Sequence, residues 1–233
     1  MRFLSALTND MRYQFKYGFY FLYSFISAIY VAALLICPAE YKKTAASIII
    51  LTDPAMLGTF FIGGIWLLEK NEGLHGFWGI SPLRPMEYII SKAMSLSIVS
   101  TIASGLIILF GLREKMNYPA LLASVFAGSM VFTVIGLIIA TYARSVNHYI
   151  LIASLPAVFL TIPPILAAFG ISYPFLDILP GTALWRMIAY SMDISNTPLF
   201  GLWFFLIFWL GVALCYANRR IPLAMQVEGG EKI

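Results

Sequence analysis

The chain has 233 residues, of which 61% are hydrophobic and 11% charged, against about 25% charged in an ordinary soluble domain. That balance excludes a water-soluble globule and points to a membrane protein. The net charge of +4 is scattered over the ends of apolar stretches rather than gathered into a patch, so nucleic acid is not an expected partner and membrane topology accounts for the basic residues.

Apolar stretches of about 20 residues recur between charged punctuation, the length a helix needs to cross a hydrocarbon core of about 30 Å. Runs such as Ile48 to Leu51 and Leu106 to Phe110 do not alternate, which excludes a strand barrel. The expected fold class is therefore all-α and polytopic. It has six transmembrane helices, an amino-terminal amphipathic interface helix, and re-entrant or interfacial helices before the last span.

Residues 1–16 begin the chain as that interface helix. Phe3, Leu4, Leu7, Met11 and Phe15 recur at helical intervals, while Arg2, Asn9, Asp10, Arg12 and Lys16 take the other side, so the helix is expected to lie in the headgroup plane. A first span follows over about 17–37, stopped by Pro38. The second, about 47–68, contains Asp53-Pro54, a helix-start signal, and Asp53 is placed near the outer surface because an ionised Asp at mid-bilayer costs about 2.5 to 3.5 kcal/mol.

The loop 69–87 is the longest polar interruption in the first half, yet Leu74, Phe77, Trp78 and Ile80 give it an apolar face that needs a cover. It reads as a docking element: a short helix, Leu74 to Ile80, fit to enter a groove on another subunit. The third span covers about 88–111 and the fourth about 119–143. In the fourth, Ser124, Gly128, Ser129, Thr133 and Gly136 put small residues on one face, a packing seam. The fifth, about 149–169, carries Pro156, Pro163 and Pro164, so a kink is expected. The stretch 170–198 is too polar to span and too apolar for a free loop, which suits extracellular re-entrant helices. A sixth span, about 199–218, ends at Arg219-Arg220.

Six spans put both termini on one side. Ten of the fifteen Lys and Arg residues lie on the side of the termini and the loop 69–87, which makes that side cytoplasmic in a cell membrane. Glu69, Glu72 and His75 are spaced so that a helix would gather them, as a solvated helix end near a partner's basic residues or, less simply, as an intramembrane hydrolase set. No phosphate-cradling Gly-x-x-x-x-Gly-Lys-Ser/Thr occurs, and no ligand spacing for a metal is present. An ATP-independent channel or secondary carrier is a further alternative. It should bury charge in mid-span, and only Asp53 qualifies from the sequence.

The loop reads Glu69-Lys70, Glu72-Gly73, Ser81-Pro82-Leu83, and the third span opens with Glu87-Tyr88 and Ser91-Lys92. With the six-span layout, these motifs resemble the permease subunits of type-2 ABC exporters. The opening from Arg12 to Tyr20 is similar, more narrowly, to fluoroquinolone-export permeases, a bacterial group. The resemblance implies a transport subunit without catalytic residues, which binds no cofactor itself. Two copies of a separate ATPase, carrying ATP and Mg, would couple to it through Glu69, Glu72, Gly73, Leu74, His75, Phe77, Trp78 and Ile80. A second permease protomer, identical or a sister subunit, would complete the pathway in the lipid bilayer. A hydrophobic or amphipathic small molecule (drug-like, peptide or lipid) would pass Phe60, Phe61 and Trp66 in the second span and Phe159, Pro163 and Pro164 in the fifth, under the 170–198 segment.

Overall fold

The computed structural model describes residues 2–52, 56–80, 83–171, 173–196 and 199–230. Among them every regular element is helical. α1 (Arg2–Lys16) turns into α2 (Phe19–Ile36) at Gly18, whose φ of 77° lies where a side chain would be strained. Pro38 then opens α3 (Ala39–Ile50). α4 (Leu57–Asn71) leads through Gly73, again left-handed at φ 74°, into the seven-residue α5 (Leu74–Ile80). α6 (Pro85–Ile107) starts with a proline in its first turn and ends in a π-helical turn, Ile108–Leu112. α7 (Tyr118–Ala140) and α8 (Val146–Ala168) are capped by the side chains of Asn117 and Ser145. A 3-10 turn (Pro174–Ile178), α9 (Pro180–Ser191) and α10 (Leu199–Gly230) complete the chain.

Among the described residues five helices are long and apolar enough to cross a membrane: α2, α6 with its π turn, α7, α8 and α10 from Phe200. The stretch expected as a second span is divided between the end of α3 and α4, and α4, with 15 residues, is about 22 Å long. The Asp53-Pro54 pair lies outside the described residues. Over half of α6 and α7 is buried, against about a fifth of α2, α8 and α10, so α6 and α7 form the inner pair and the others present apolar side chains outward.

The seam on α7 packs against three elements. Thr133 sits against Gly58 of α4, and a Cβ at Gly136 would lie 2.6 Å from the Thr59 carbonyl. Gly128 accommodates Leu184 of α9, while Ser129 donates to Ser100 of α6 at 3.1 Å. Small residues there let backbones approach, and the hydroxyls bridge what remains. Tyr149 of α8 fills the notch over Gly63 and donates to the Thr59 carbonyl. α8 runs as one helix through its three prolines.

α9 does not lie on a surface. Ten of its twelve residues are buried, its Trp185 donates to Ser47 at 3.3 Å, and it anchors an apolar cluster with Leu34, Ile50, Phe132 and Leu206. At the other end of the molecule a second cluster gathers Trp66, Tyr88, Leu137, Ala217 and Ile221, and the polar site described next is built on it.

Candidate functional site

α1 buries one narrow stripe, Ala6, Asp10 and Gln14, at intervals of four, while Leu4 and Phe15 are exposed. Asp10 and Gln14 turn inward because α6 offers them partners, and Arg2, Asn9, Arg12 and Lys16 stay exposed. Gln14 donates to Ser95 at 2.7 Å, Ser91 donates to Asp10, and Lys92 reaches Asp10 at 2.7 Å. Apolar patterning alone would assign this helix the opposite face.

Lys92 is 1% exposed and holds a second carboxylate, Glu69 of α4, at 2.6 Å. Tyr88 donates to the other oxygen of Glu69 at 2.7 Å, and the Lys92 ammonium also lies 4.9 Å from the centre of the Tyr88 ring. Two carboxylates thus share one ammonium, and their remaining lone pairs take hydroxyls, which is how buried charge is tolerated. One positive charge faces two negative ones, so the triad carries an excess negative charge.

α5 is attached to this triad from its inner side. His75 is 3% exposed, with Nε2 3.9 Å from Glu69 and its ring centre 4.1 Å from that of Trp66. Trp78, half-buried, sits 5.7 Å from Tyr88, centre to centre. Phe77 points away and is 60% exposed. Gly73 and Gly76 are exposed and Leu74 is half-buried. The helix is therefore two-sided, with His75 and Trp78 inward and Phe77 outward.

Glu72 separates from the other two residues of the predicted trio. It is exposed and accepts hydrogen bonds from Tyr13, at 3.3 Å, and from Tyr17. Burial, reinforced by the charges of Glu72 and Glu69, raises the Tyr13 hydroxyl above its ordinary pKa, so Tyr13 stays a donor at neutral pH. The solvated helix end expected for Glu69 and His75 is corrected here: both are buried, and Glu69 is neutralised from within by Lys92, because α1 and α6 enclose the end of α4. Lys92 is a buried charge that the sequence did not single out, and it lies in the second turn of α6, near one end of that helix rather than at mid-span. Among the described residues no three His, Cys, Asp or Glu side chains gather as a metal site.

The residues placed in the pathway disperse. Phe60 borders a small cleft with Thr59, Phe132, Ala157 and Leu160 between α4, α7 and α8. Phe159 is exposed on the outer side of α8, with Pro163 half-buried and Pro164 buried near Gly181. Phe61 packs edge-on against Tyr23, tying α4 to α2. Trp66 is fully buried beneath His75. Asp10, Tyr88 and Lys92 are the site residues that sequence reasoning did not assign. The available signal was Asp10 and Gln14 one turn apart together with a lysine inside an apolar helix.

The family described as fluoroquinolones export permease protein matches residues 1–221. Two curated relatives named fluoroquinolones export permease protein, from two strains of Mycobacterium tuberculosis, are each 27% identical over 201 residues, covering 84% of this chain and 84% of their own.

Proposed function

Since the chain belongs to the fluoroquinolones export permease protein family, we propose that it is the membrane subunit of an ATP-driven exporter of type-2 ABC architecture, exporting a hydrophobic or amphipathic small molecule. A separate ATPase subunit would dock beneath α5, on the cytoplasmic side, and a second permease protomer would complete the path. The observation that carries this reading is the two-sidedness of α5: Phe77 is 60% exposed while His75 on the same helix is 3% exposed. A partner gripping the outer side would move a piece already fixed to the ends of α4 and α6. Packed helices shift as rigid bodies, so such a push would emerge as tilt of those two helices.

The test is F77D in the full chain. Wild-type protein purified from its own host membranes should retain an ATPase whose turnover responds to permease reconstitution, and F77D should lose that retention while its thermal unfolding stays unchanged. Wild-type protein that retains no ATPase in any detergent would remove the exporter reading, whereas full retention by F77D would remove only the assignment to α5.

The buried Asp10–Lys92–Glu69 triad favours a second reading, a secondary carrier that moves a charge through this cluster. Export driven by an imposed proton gradient without ATP would select it.

A further inference from the structure

At the end of the molecule that carries α5, α7 and α10 hold an arginine between them with no counter-charge among the described residues. The Nε of Arg220 donates to the Thr141 hydroxyl at 3.3 Å, and its guanidinium carbon lies 4.2 Å from the centre of the Tyr142 ring. Tyr142 and Tyr216 join their hydroxyls at 2.7 Å. The guanidinium is thus fixed on one edge and one face. Among the described residues no carboxylate pairs with Arg220, nor with its neighbours Arg219 and Arg144. An oriented fork with free terminal N–H groups is the group that recognises a phosphate in two-point fashion.

The approach to this fork is apolar and regular. On α10, Phe204, Phe208, Val212 and Tyr216 precede Arg220 at intervals of four and are between 46% and 66% exposed. They form one outward stripe, about 18 Å long by helix rise. Phe204 and Phe208 stack at 6.5 Å. Arg220 stands 20 residues beyond Phe200, where the crossing part of α10 begins, or about 30 Å along the axis. That is the distance from one headgroup layer to the other. An apolar track, a tyrosine and then an arginine match, in order, an acyl chain, an ester region and a phosphate.

We infer that Arg220, held by Thr141 and Tyr142, and Tyr216 form a headgroup site for an anionic glycerophospholipid, whose acyl chain lies along Phe204, Phe208 and Val212. Arg144 and Arg219 add positive charge that no carboxylate among the described residues pairs with, which favours a headgroup with net negative charge over a zwitterionic one. The inference does not depend on the exporter reading; it requires only that α7 and α10 cross a bilayer.

The full chain in mild detergent is titrated with phosphatidylglycerol, with phosphatidylcholine and with inorganic phosphate, and its thermal unfolding is followed by tryptophan fluorescence. Phosphatidylglycerol should raise the midpoint saturably and phosphatidylcholine should not. R220Q should raise the half-saturating concentration about ten-fold, the loss expected when a charge-assisted hydrogen bond is removed. Y216F and R144Q alter exposed side chains and preserve the fold, and each should raise it about three-fold. The inference is overturned if phosphatidylcholine stabilises equally, if inorganic phosphate alone gives the full shift, or if Y216F and R144Q leave half-saturation where it was.

Discussion

Replacing Lys92 with Met tests the construction of the buried triad. In the folded protein the ammonium touches Asp10 at 2.7 Å and Glu69 at 2.6 Å, so the nearest oxygens of the two carboxylates are at most about 5 Å apart, where like charges repel by at least about 3 kcal/mol at an effective dielectric of about 20. K92M removes the cation and leaves that repulsion in a desolvated place. Each carboxylate keeps one hydroxyl donor, Ser91 for Asp10 and Tyr88 for Glu69, which limits the loss. Removal of one partner from a buried pair costs about 3 to 5 kcal/mol, and K92M should fall in that range. D10N should behave differently, because it keeps the shape and leaves Lys92 with Glu69 alone, a balanced pair; its cost should stay within about 1 to 2 kcal/mol, that of exchanging a charged hydrogen bond for a neutral one. Denaturant unfolding of both variants in one detergent, followed by tryptophan fluorescence, gives the comparison. Equal losses for K92M and D10N, or a K92M loss below about 1 kcal/mol, would refute the view that one ammonium holds two carboxylates together.

Three further outcomes are expected. G136A should destabilise by about 1 to 3 kcal/mol, because its Cβ would stand 2.6 Å from the Thr59 backbone oxygen, whereas G105A, with its nearest neighbour a Leu122 methyl at 3.6 Å, should be neutral or slightly stabilising; thermal midpoints of the two variants decide this. W78D should lose stability where F77D does not, since Trp78 packs on Tyr88 and Phe77 faces outward; the two unfolding curves should separate. Burial raises the Asp177 carboxyl above its ordinary pKa despite the pull of Arg186 at 2.8 Å. A folded value above the unfolded one contributes stability fully below the unfolded pKa, and loses it as pH rises through the folded one. D177N should therefore flatten the stability profile above about pH 4, read by thermal unfolding across that range.

Elements set by local chemistry were legible in the sequence. Gly73 and the apolar run behind it announced a short helix at Leu74–Ile80. The small residues of α7 announced close packing, and the structure supplies Gly58, Leu184 and Ser100 as their partners. What escaped was set by partners distant in sequence. Asp10 and Lys92 stand 82 residues apart, and nothing in the pattern of residues 1–16 says that their polar stripe meets the serine-lined face of α6 rather than water. A hydrophobic periodicity assumes that the other side of a helix is wet, and for α1 that assumption fails at Asp10 and Gln14 while Arg2, Asn9, Arg12 and Lys16 stay exposed. Trp66 escaped likewise: an aromatic near a span end suits a pathway or a core equally until His75 is seen against it.

A seven-residue helix has no stability of its own, since nucleation costs more than so few backbone hydrogen bonds return; α5 exists because His75 and Trp78 are held. Its mechanical properties are therefore those of its anchorage. The anchorage reaches Glu69, then Lys92, then Asp10, so α1 is joined to α5 through a chain of side-chain contacts. A force on Phe77 meets α1, α4 and α6 through this chain, and α10 through its packing on α5, rather than a loop that could yield alone. Cutting the chain at Lys92 should thus change how α1 responds to whatever binds α5, even where the fold survives: a spectroscopic label at Leu4, exposed on α1, should respond to occupation of α5 in the wild type and stop responding in a D10N/K92M double variant. A label response that persists in the double variant would mean that α1 follows α5 by some route other than this buried triad.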